Sequence, residues 1–249
     1  MWAVLLLLPP SETKAPGGDG APLAFDALSL PELNPVRRKI ADALVELADD
    51  VPASMTALGL SARQTDEVER NAELYRAPTM PALQRYTGVL YDALDAGGFD
   101  TTQWSRAGSR LAVASALFGL LGPDDPIPAY RLSGNSTLPA LGPLRTLWRP
   151  ALEPLLAARD DLVVDLRSGT YATLARVPGA VTVRVVTADS AGNRKTVSHH
   201  NKAYKGALAA TLATSATEPS TVDELLTLTS RSGLNLTRTD ENTLELLTD

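Results

Sequence analysis

The sequence predicts an α+β fold: one domain over residues 1–249 in which helices surround a mixed β-sheet. Three observations carry this. Short continuous apolar runs at Val4–Leu8 and Leu162–Leu166 have the length and composition of inner strands buried on both faces. Alternating segments at Val181–Val186 and Lys195–His200, and a closing pair at Asn235–Arg238 and Thr243–Leu247, read as antiparallel arms. Between the first two apolar runs, residues 35–158 carry mostly helical periodicity, so strands at both ends and in the middle enclose a helical insertion. A hydrophobic content of 44% supplies ample material for a core.

Composition also excludes chemistry. The chain has no cysteine, which removes disulfides, thiolate metal sites and cysteine nucleophiles. Its formal net charge of −6 argues against generic nucleic-acid binding, which needs clustered Lys and Arg. The apolar run from Trp2 to Leu8 has no basic segment before it and stops at Pro9-Pro10. It falls well short of the roughly 20 apolar residues of a membrane span, so we read it as a strand of a cytoplasmic protein with no membrane partner.

In chain order, the loop after the first run is Pro9-Pro10-Ser11-Glu12-Thr13-Lys14, either a surface turn or a ligand loop. A helix is expected over Pro35–Ala48, capped by Asn34, with Val36, Ile40, Ala43, Leu44 and Leu47 on its apolar face. Arg37-Arg38-Lys39 is read as its solvated face. Pro52–Leu58 and Ala62–Leu74, joined at Gly59, form a helical pair of the helix–turn–helix or helix–hairpin–helix kind. A helix over Ala82–Leu94 would carry Tyr86, Thr87 and Tyr91, with the two tyrosines off any common helical line. Gly88 inside it costs about 1 kcal/mol relative to alanine. Ser109–Leu121 reads as an apolar helix, and Leu144–Ala158 as another with Trp148 in the core. Between them, Tyr130, Arg131 and Ser133 sit in a proline-bounded extended segment. There the arginine either contacts a ligand or ties the loop through backbone carbonyls. Helices over Lys202–Thr214 and Thr221–Thr229 complete the pattern.

Three polar loops follow predicted strands: Ser11, Thr13 and Lys14; Arg167, Ser168 and Tyr171; and His199, His200, Asn201, Lys202 and Lys205. If their strands are parallel neighbours, all three converge at one end of the sheet, the usual ligand crevice of such folds. The pool is cationic and rich in hydroxyls, which suits an anionic or phosphate-bearing ligand. Adjacent histidines in an extended segment face opposite ways, so no joint metal site and no cofactor is expected. Phosphate-loop, dinucleotide and nucleophile-elbow motifs are all missing. A lysine nucleophile among Lys14, Lys202 and Lys205 would need a lowered pKa.

Several of these pieces in order resemble one family: Leu7–Lys14, Tyr86–Tyr91, Ser115–Leu121 with Ile127–Leu132, the Trp148 helix, Val163–Tyr171 and His199–Gly206. The chain is similar to the YaaA-type peroxide-stress proteins. The resemblance implies a cytoplasmic role in oxidative-stress defence that limits free iron, and a single α/β body with a cationic cleft. It also implies DNA binding beside a helix–hairpin–helix element, which here falls at about residues 53–74 in degenerate form, with Asp66, Glu67, Glu69 and Glu73 on the second helix. The family's polar positions carry over to Ser11, Lys14, Tyr86, Thr87, Tyr130, Arg131, Ser168, Tyr171, Lys202, Lys205 and Gly206. Two readings follow. One is a DNA-binding stress protein without turnover. The other is an enzyme acting on a small anionic or nucleobase-like molecule, in stress defence or in a biosynthetic pathway. In the second, Arg131 and Arg167 would orient the ligand, and Lys202 or Lys205 would polarise or attack it.

Overall fold

The computed structural model describes residues 4–188, 194–196 and 201–248. Among them the main sheet has eight strands: β1 (Val4–Leu8), β2 (Leu111–Ser115), β3 (Gly119–Leu121), β4 (Leu162–Asp165), β5 (Val181–Ala188), β6 (Arg194–Thr196), β7 (Asn235–Asp240) and β8 (Thr243–Thr248). Their order is β7-β8-β5-β4-β1-β2-β3, with β6 paired to the far end of β5. β2, β1, β4, β5 and β8 are parallel, while β3, β6 and β7 are antiparallel additions. The predicted α+β fold with a mixed sheet is therefore the observed one.

β1 lies at the centre, and every one of its five residues is buried. Its register sets Leu7 beside Ala112 on one side and Asp165 on the other. Pro9 and Pro10 end the strand because neither can donate to a ladder. The amide of Leu166 still reaches the Leu7 carbonyl at 2.9 Å, so the loops after β1 and β4 leave the sheet side by side.

The helices are α1 (Asn34–Ala48), α2 (Val51–Leu58), α3 (Asp66–Ala72), α4 (Ala82–Arg85), α5 (Val89–Leu94), α6 (Thr101–Arg110), α7 (Arg145–Ala157), α8 (Gly169–Ala172), α9 (Asn201–Thr214) and α10 (Val222–Arg231). None of the described residues forms a helix long and apolar enough to cross a membrane.

Three local expectations are corrected. The apolar segment Ser109–Leu121 is not a helix: it supplies the end of α6, inner strand β2 and edge strand β3. Leu-Ala-Val-Ala-Ser is apolar at successive positions and buried throughout, and such a run cannot be told from a buried helix by period alone. The turn into β3 uses Gly119 at φ 75°, where a Cβ would sit 2.6 Å from the Trp148 ring. The block 35–158 is thus helical only in part, and one of the five parallel strands comes from inside it.

The helix expected over Ala82–Leu94 is broken in two. Tyr86 adopts φ −77° and ψ 135°, and Gly88 adopts φ 98°. Freed from helical geometry, the Tyr86 and Tyr91 rings stack with centroids 5.5 Å apart and planes at 29°. The glycine that would weaken a helix is the residue that permits the break.

Arg37 is not solvated. It lies on the buried face of α1 with Ile40, Ala41 and Leu44. Its Nε donates to the Phe118 carbonyl at 2.9 Å and its Nη2 to that of Leu120 at 2.8 Å, closing the turn between β2 and β3. Arg38, one residue on, stays half-exposed beside Asp26.

Candidate functional site

The loops at the carboxyl ends of β1 and β4 meet the first turn of α9 around a concave cavity of about 610 Å³. That volume lies within the usual range for small-molecule pockets. Pro9–Thr13 form one wall, and Thr87–Tyr91 form a second. Ser133 and Asn135 close a third side, Leu166, Ser168, Thr170 and Tyr171 a fourth, and Asn201, Lys202 and Lys205 the last.

Each wall is fixed by local chemistry. The loop after β1 runs against the break between α4 and α5. Lys14 bridges to Tyr86, the Thr87 amide donates to the Thr13 carbonyl at 3.3 Å, and Ala15 donates to Arg85 at 2.8 Å. The Arg85 guanidinium is buried beneath this seam and donates only to backbone carbonyls, including Gly17 at 2.9 Å and Pro78 at 3.1 Å. Tyr91 donates its hydroxyl to the Pro9 carbonyl at 2.8 Å, joining the first wall to the second. The Tyr171 hydroxyl accepts from the Gly134 amide at 3.2 Å, joining the third to the fourth.

α9 is held at both ends. Near its start Gly206 packs against the Leu90 carbonyl of α5, where any Cβ would collide. At its end Arg106 donates to Thr214, and Arg110 to Leu212 at 2.9 Å and Ser215 at 2.7 Å, so guanidinium groups meet the last carbonyls of the helix. The first turn, by contrast, carries Lys202 and Lys205 and no acid. Cations at a helix N-terminus oppose the helix dipole, an arrangement that an anion between them would relieve. Lys205 is half-buried, its Nζ donates to the Leu166 carbonyl at 3.1 Å, and burial lowers its pKa against the pull of Asp165. Lys202 is exposed at the rim.

Of the residues singled out in the sequence, Ser11, Thr13, Thr87, Tyr91, Ser133, Ser168, Tyr171, Asn201, Lys202 and Lys205 line this one cavity. The loops after β1 and β4 meet the start of α9 there, and the strand before α9, β6, is antiparallel and not a parallel neighbour. His199 and His200 lie outside the described residues.

Lys14, Tyr86 and Tyr130 form a layer outside the lining. Lys14 Nζ lies 4.2 Å from the Tyr130 ring centroid and 5.4 Å from that of Tyr86, and donates to the Ser11 carbonyl at 3.1 Å. Burial is the main cause of a pKa lowered to about 8; Glu12 opposes the shift and Arg131 adds to it. The Tyr130 hydroxyl sits 2.8 Å from both the Tyr86 hydroxyl and Ser115 Oγ, in a buried chain of three. Burial pushes Tyr86 up to about 12 and holds Tyr130 well above the ordinary tyrosine value.

Arg131 and Arg167 do not line the cavity. Arg167 is fully engaged: Nε and Nη2 grip the two oxygens of Asp165 at 2.9 and 2.8 Å, while Nη1 reaches the Tyr171 carbonyl and Nη2 also that of Ala175. It fixes the loop between β4 and α8. Arg131 is held through its backbone by the Asn71 amide, and its Nη1 faces Glu12 Oε2 at 3.5 Å.

Sequence reasoning missed Glu12, Asn135 and Thr170. Glu12 stands between two residues it did select, and a search for cations and hydroxyls passed over the one carboxylate in that loop.

Comparison with known proteins decides the family. The sequence model of the peroxide stress protein YaaA family matches residues 4–239. This chain belongs to the YaaA peroxide-stress family. It is similar to a UPF0246 protein of Corynebacterium efficiens, with 48% identity over 237 residues, covering 94% of each chain. A UPF0246 protein of Corynebacterium glutamicum is 46% identical over 235 residues, 93% of this chain and 94% of the relative. One from Streptomyces coelicolor is 44% identical over 228 residues, 90% and 88% respectively. Membership in the YaaA family gives the chain a general role in oxidative stress, and the cavity is where its polar loops meet.

Proposed function

We propose that this YaaA-family protein serves oxidative-stress defence by binding a small anionic molecule in the cavity at the N-terminus of α9. One observation carries the reading: Lys202 and Lys205 enter the same concave space as the hydroxyls of Ser11, Thr13, Ser168 and Thr170. Lysines supply charge there, hydroxyls supply adaptable donors, and the first turn of α9 adds backbone N–H groups. A space of this shape admits a small molecule more readily than a duplex. If the ligand is turned over, Lys205 is the group we assign to polarise or attack it, because its lowered pKa raises its neutral fraction. The reading keeps the protein in the cytoplasm, where a stress-defence role would act on small molecules; the apolar run Val4–Leu8 is the central strand β1.

A second reading takes DNA as the partner, with the limitation of free iron as its consequence. It is favoured by the exposed Lys202 at the rim and by the α2–Gly59–α3 turn, in which Gly59 takes φ 63° and the Leu60 amide donates to the Met55 carbonyl at 2.8 Å. Against it, the first turn of α3 carries Asp66, Glu67 and Glu69, and Arg70 is paired with Glu67 at 2.8 Å. Backbone capture of a phosphate at that helix is opposed by these carboxylates.

The test is a pair of titrations of the wild type and a Lys202→Ala/Lys205→Ala variant. One uses inorganic phosphate and pyrophosphate by calorimetry. The other uses a fluorescent duplex of about 20 base pairs by anisotropy across a salt series. The proposal expects anion binding that the double variant weakens at least about tenfold, with duplex binding weak at all salt concentrations. Tight duplex binding with a steep salt slope, lost in the variant, would replace it with the second reading.

A further inference from the structure

The cavity at the start of α9 has a neighbour. Asn135 and Thr170, which line it, also line a second concave space of about 460 Å³, between the Gly134 loop and the start of α7. The divide is fixed by packing. Gly134 lies against Thr170 and Tyr171, where a Cβ would sit 3.0 Å from Thr170 Cγ2, and its amide bonds the Tyr171 hydroxyl. Asn135 is exposed and Thr170 half-buried, and among the described residues neither side chain has a hydrogen-bond partner. Both are open to a molecule lying across them.

The second space holds a cation and no acid. Arg145 lines it, and among the described residues its guanidinium has neither an ion pair nor a hydrogen bond. Local structure puts it there. Thr137–Leu138 pair antiparallel with Gly142–Pro143 and deliver the chain to α7. Leu144, just before that helix, and Trp148 within it are buried, while Arg145 between them is exposed. Arg149, one turn on, is by contrast occupied by Glu153 at 3.5 Å and the Thr173 carbonyl at 3.4 Å.

A guanidinium carries five donors and grips a phosphate or carboxylate with two at once. Lys202 and Lys205 do not line the second space, and Arg145 does not line the first. A compact anion held by the α9 lysines would therefore leave Arg145 unused. We propose, building on the anionic reading above, that the ligand is an elongated molecule with two anionic groups, one at Lys202 and Lys205 and the other at Arg145. Its middle crosses between Asn135 and Thr170, whose free amide and hydroxyl serve polar atoms there. Arg145 is then a specificity-determining residue, selecting long bis-anions over compact ones.

The test titrates the full chain calorimetrically at pH 7 with ethyl phosphate and with the bisphosphates of ethanediol, butanediol, hexanediol and octanediol. The expected result is an optimum of chain length at which the bisphosphate binds at least about tenfold tighter than ethyl phosphate, since a linker gains most when it matches the span. Arg145→Ala should abolish the optimum and leave ethyl phosphate binding unchanged, while Lys202→Ala/Lys205→Ala should weaken every probe. Bisphosphates that bind no more than about twofold tighter at every length, the statistical gain of a second identical group, would overturn the elongated ligand and leave the anionic reading standing. A rise in affinity with no optimum would do the same, because general attraction does not select a length. An optimum that survives Arg145→Ala would overturn the assignment to Arg145. Binding of no probe at millimolar concentration would remove both proposals together. The length series in the wild type needs no variant, and Arg145 is exposed, so its replacement leaves the core intact.

Discussion

The hydroxyls of Tyr86 and Tyr130 lie 2.8 Å apart and join two segments separated by 44 residues in the chain. One segment is the break between α4 and α5, which gives the cavity its second wall. The other leads through Arg131 to Ser133 on the third. Ser115 Oγ bonds the same Tyr130 hydroxyl at 2.8 Å and accepts from the Phe118 amide at 2.9 Å, so the end of β2 is tied into the layer that backs the site.

Removing the middle hydroxyl should therefore cost more than one bond. Tyr130→Phe leaves both Tyr86 and Ser115 short of a partner in a buried place, for about 1–3 kcal/mol of lost stability. Tyr86→Phe alone should cost less, since the bond between Tyr130 and Ser115 survives it. The Tyr86→Phe/Tyr130→Phe double variant should fall short of the sum of the singles, because they share one bond. Urea unfolding of all three variants measures this, and strict additivity would show that the chain is not a coupled unit.

Lys14 makes the stability of the protein depend on pH in a particular direction. Burial holds its native pKa at about 8, against 10.5 for the free side chain. Between those values the unfolded chain keeps a proton that the native chain has released, so this group's contribution to stability rises with pH. Below pH 8 the native protein carries a charge that burial disfavours. Relative to Lys14→Met, the wild type should gain stability from pH 8 to pH 10 and show little relative change from pH 6 to pH 7. Paired urea midpoints across that range decide the matter: parallel curves would mean the amine is well solvated.

Gly206 sets the distance between α9 and α5. A methyl group there would run into the Leu90 carbonyl and sit 2.9 Å from Ala93 Cβ, so one helix must move. Overpacking of this kind costs about 1–3 kcal/mol, and the displaced helix is the one that carries Lys202 and Lys205. Gly206→Ala should lower the unfolding midpoint and weaken phosphate binding together. Gly59→Ala, at a left-handed position with open space around it, should lower stability without changing binding. Equal effects of the two substitutions on binding would separate α9 from the site.

Much of this was legible in the chain itself. A five-residue apolar run followed by Pro-Pro can hardly be anything but a buried strand with an abrupt end. The polar clusters after β1 and β4 and at the start of α9 stand out because each follows a strand or opens a helix. What stayed hidden has physical causes. Leu111–Ser115 shows no period because both of its faces are covered, and coverage is a property of the neighbours. Arg37 looks like a surface residue until the carbonyls of Phe118 and Leu120, more than eighty positions away, supply the acceptors that let it be buried.

The sequence by itself determined the central strand, the closing hairpin, most helices and the stock of polar groups available for a site. These depend on local period, proline and glycine, which act over a few residues. Only the tertiary structure decided which polar groups face the cavity and which are occupied elsewhere. Arg167 looks like a ligand residue in the chain, yet Asp165 and the Tyr171 and Ala175 carbonyls hold its guanidinium; Glu12 looks incidental, yet it lines the cavity and its Oε2 faces Arg131 Nη1 at 3.5 Å. A hydrogen bond is directional and forms once per donor, so which side chains remain unpaired depends on every neighbour that folding brings within reach.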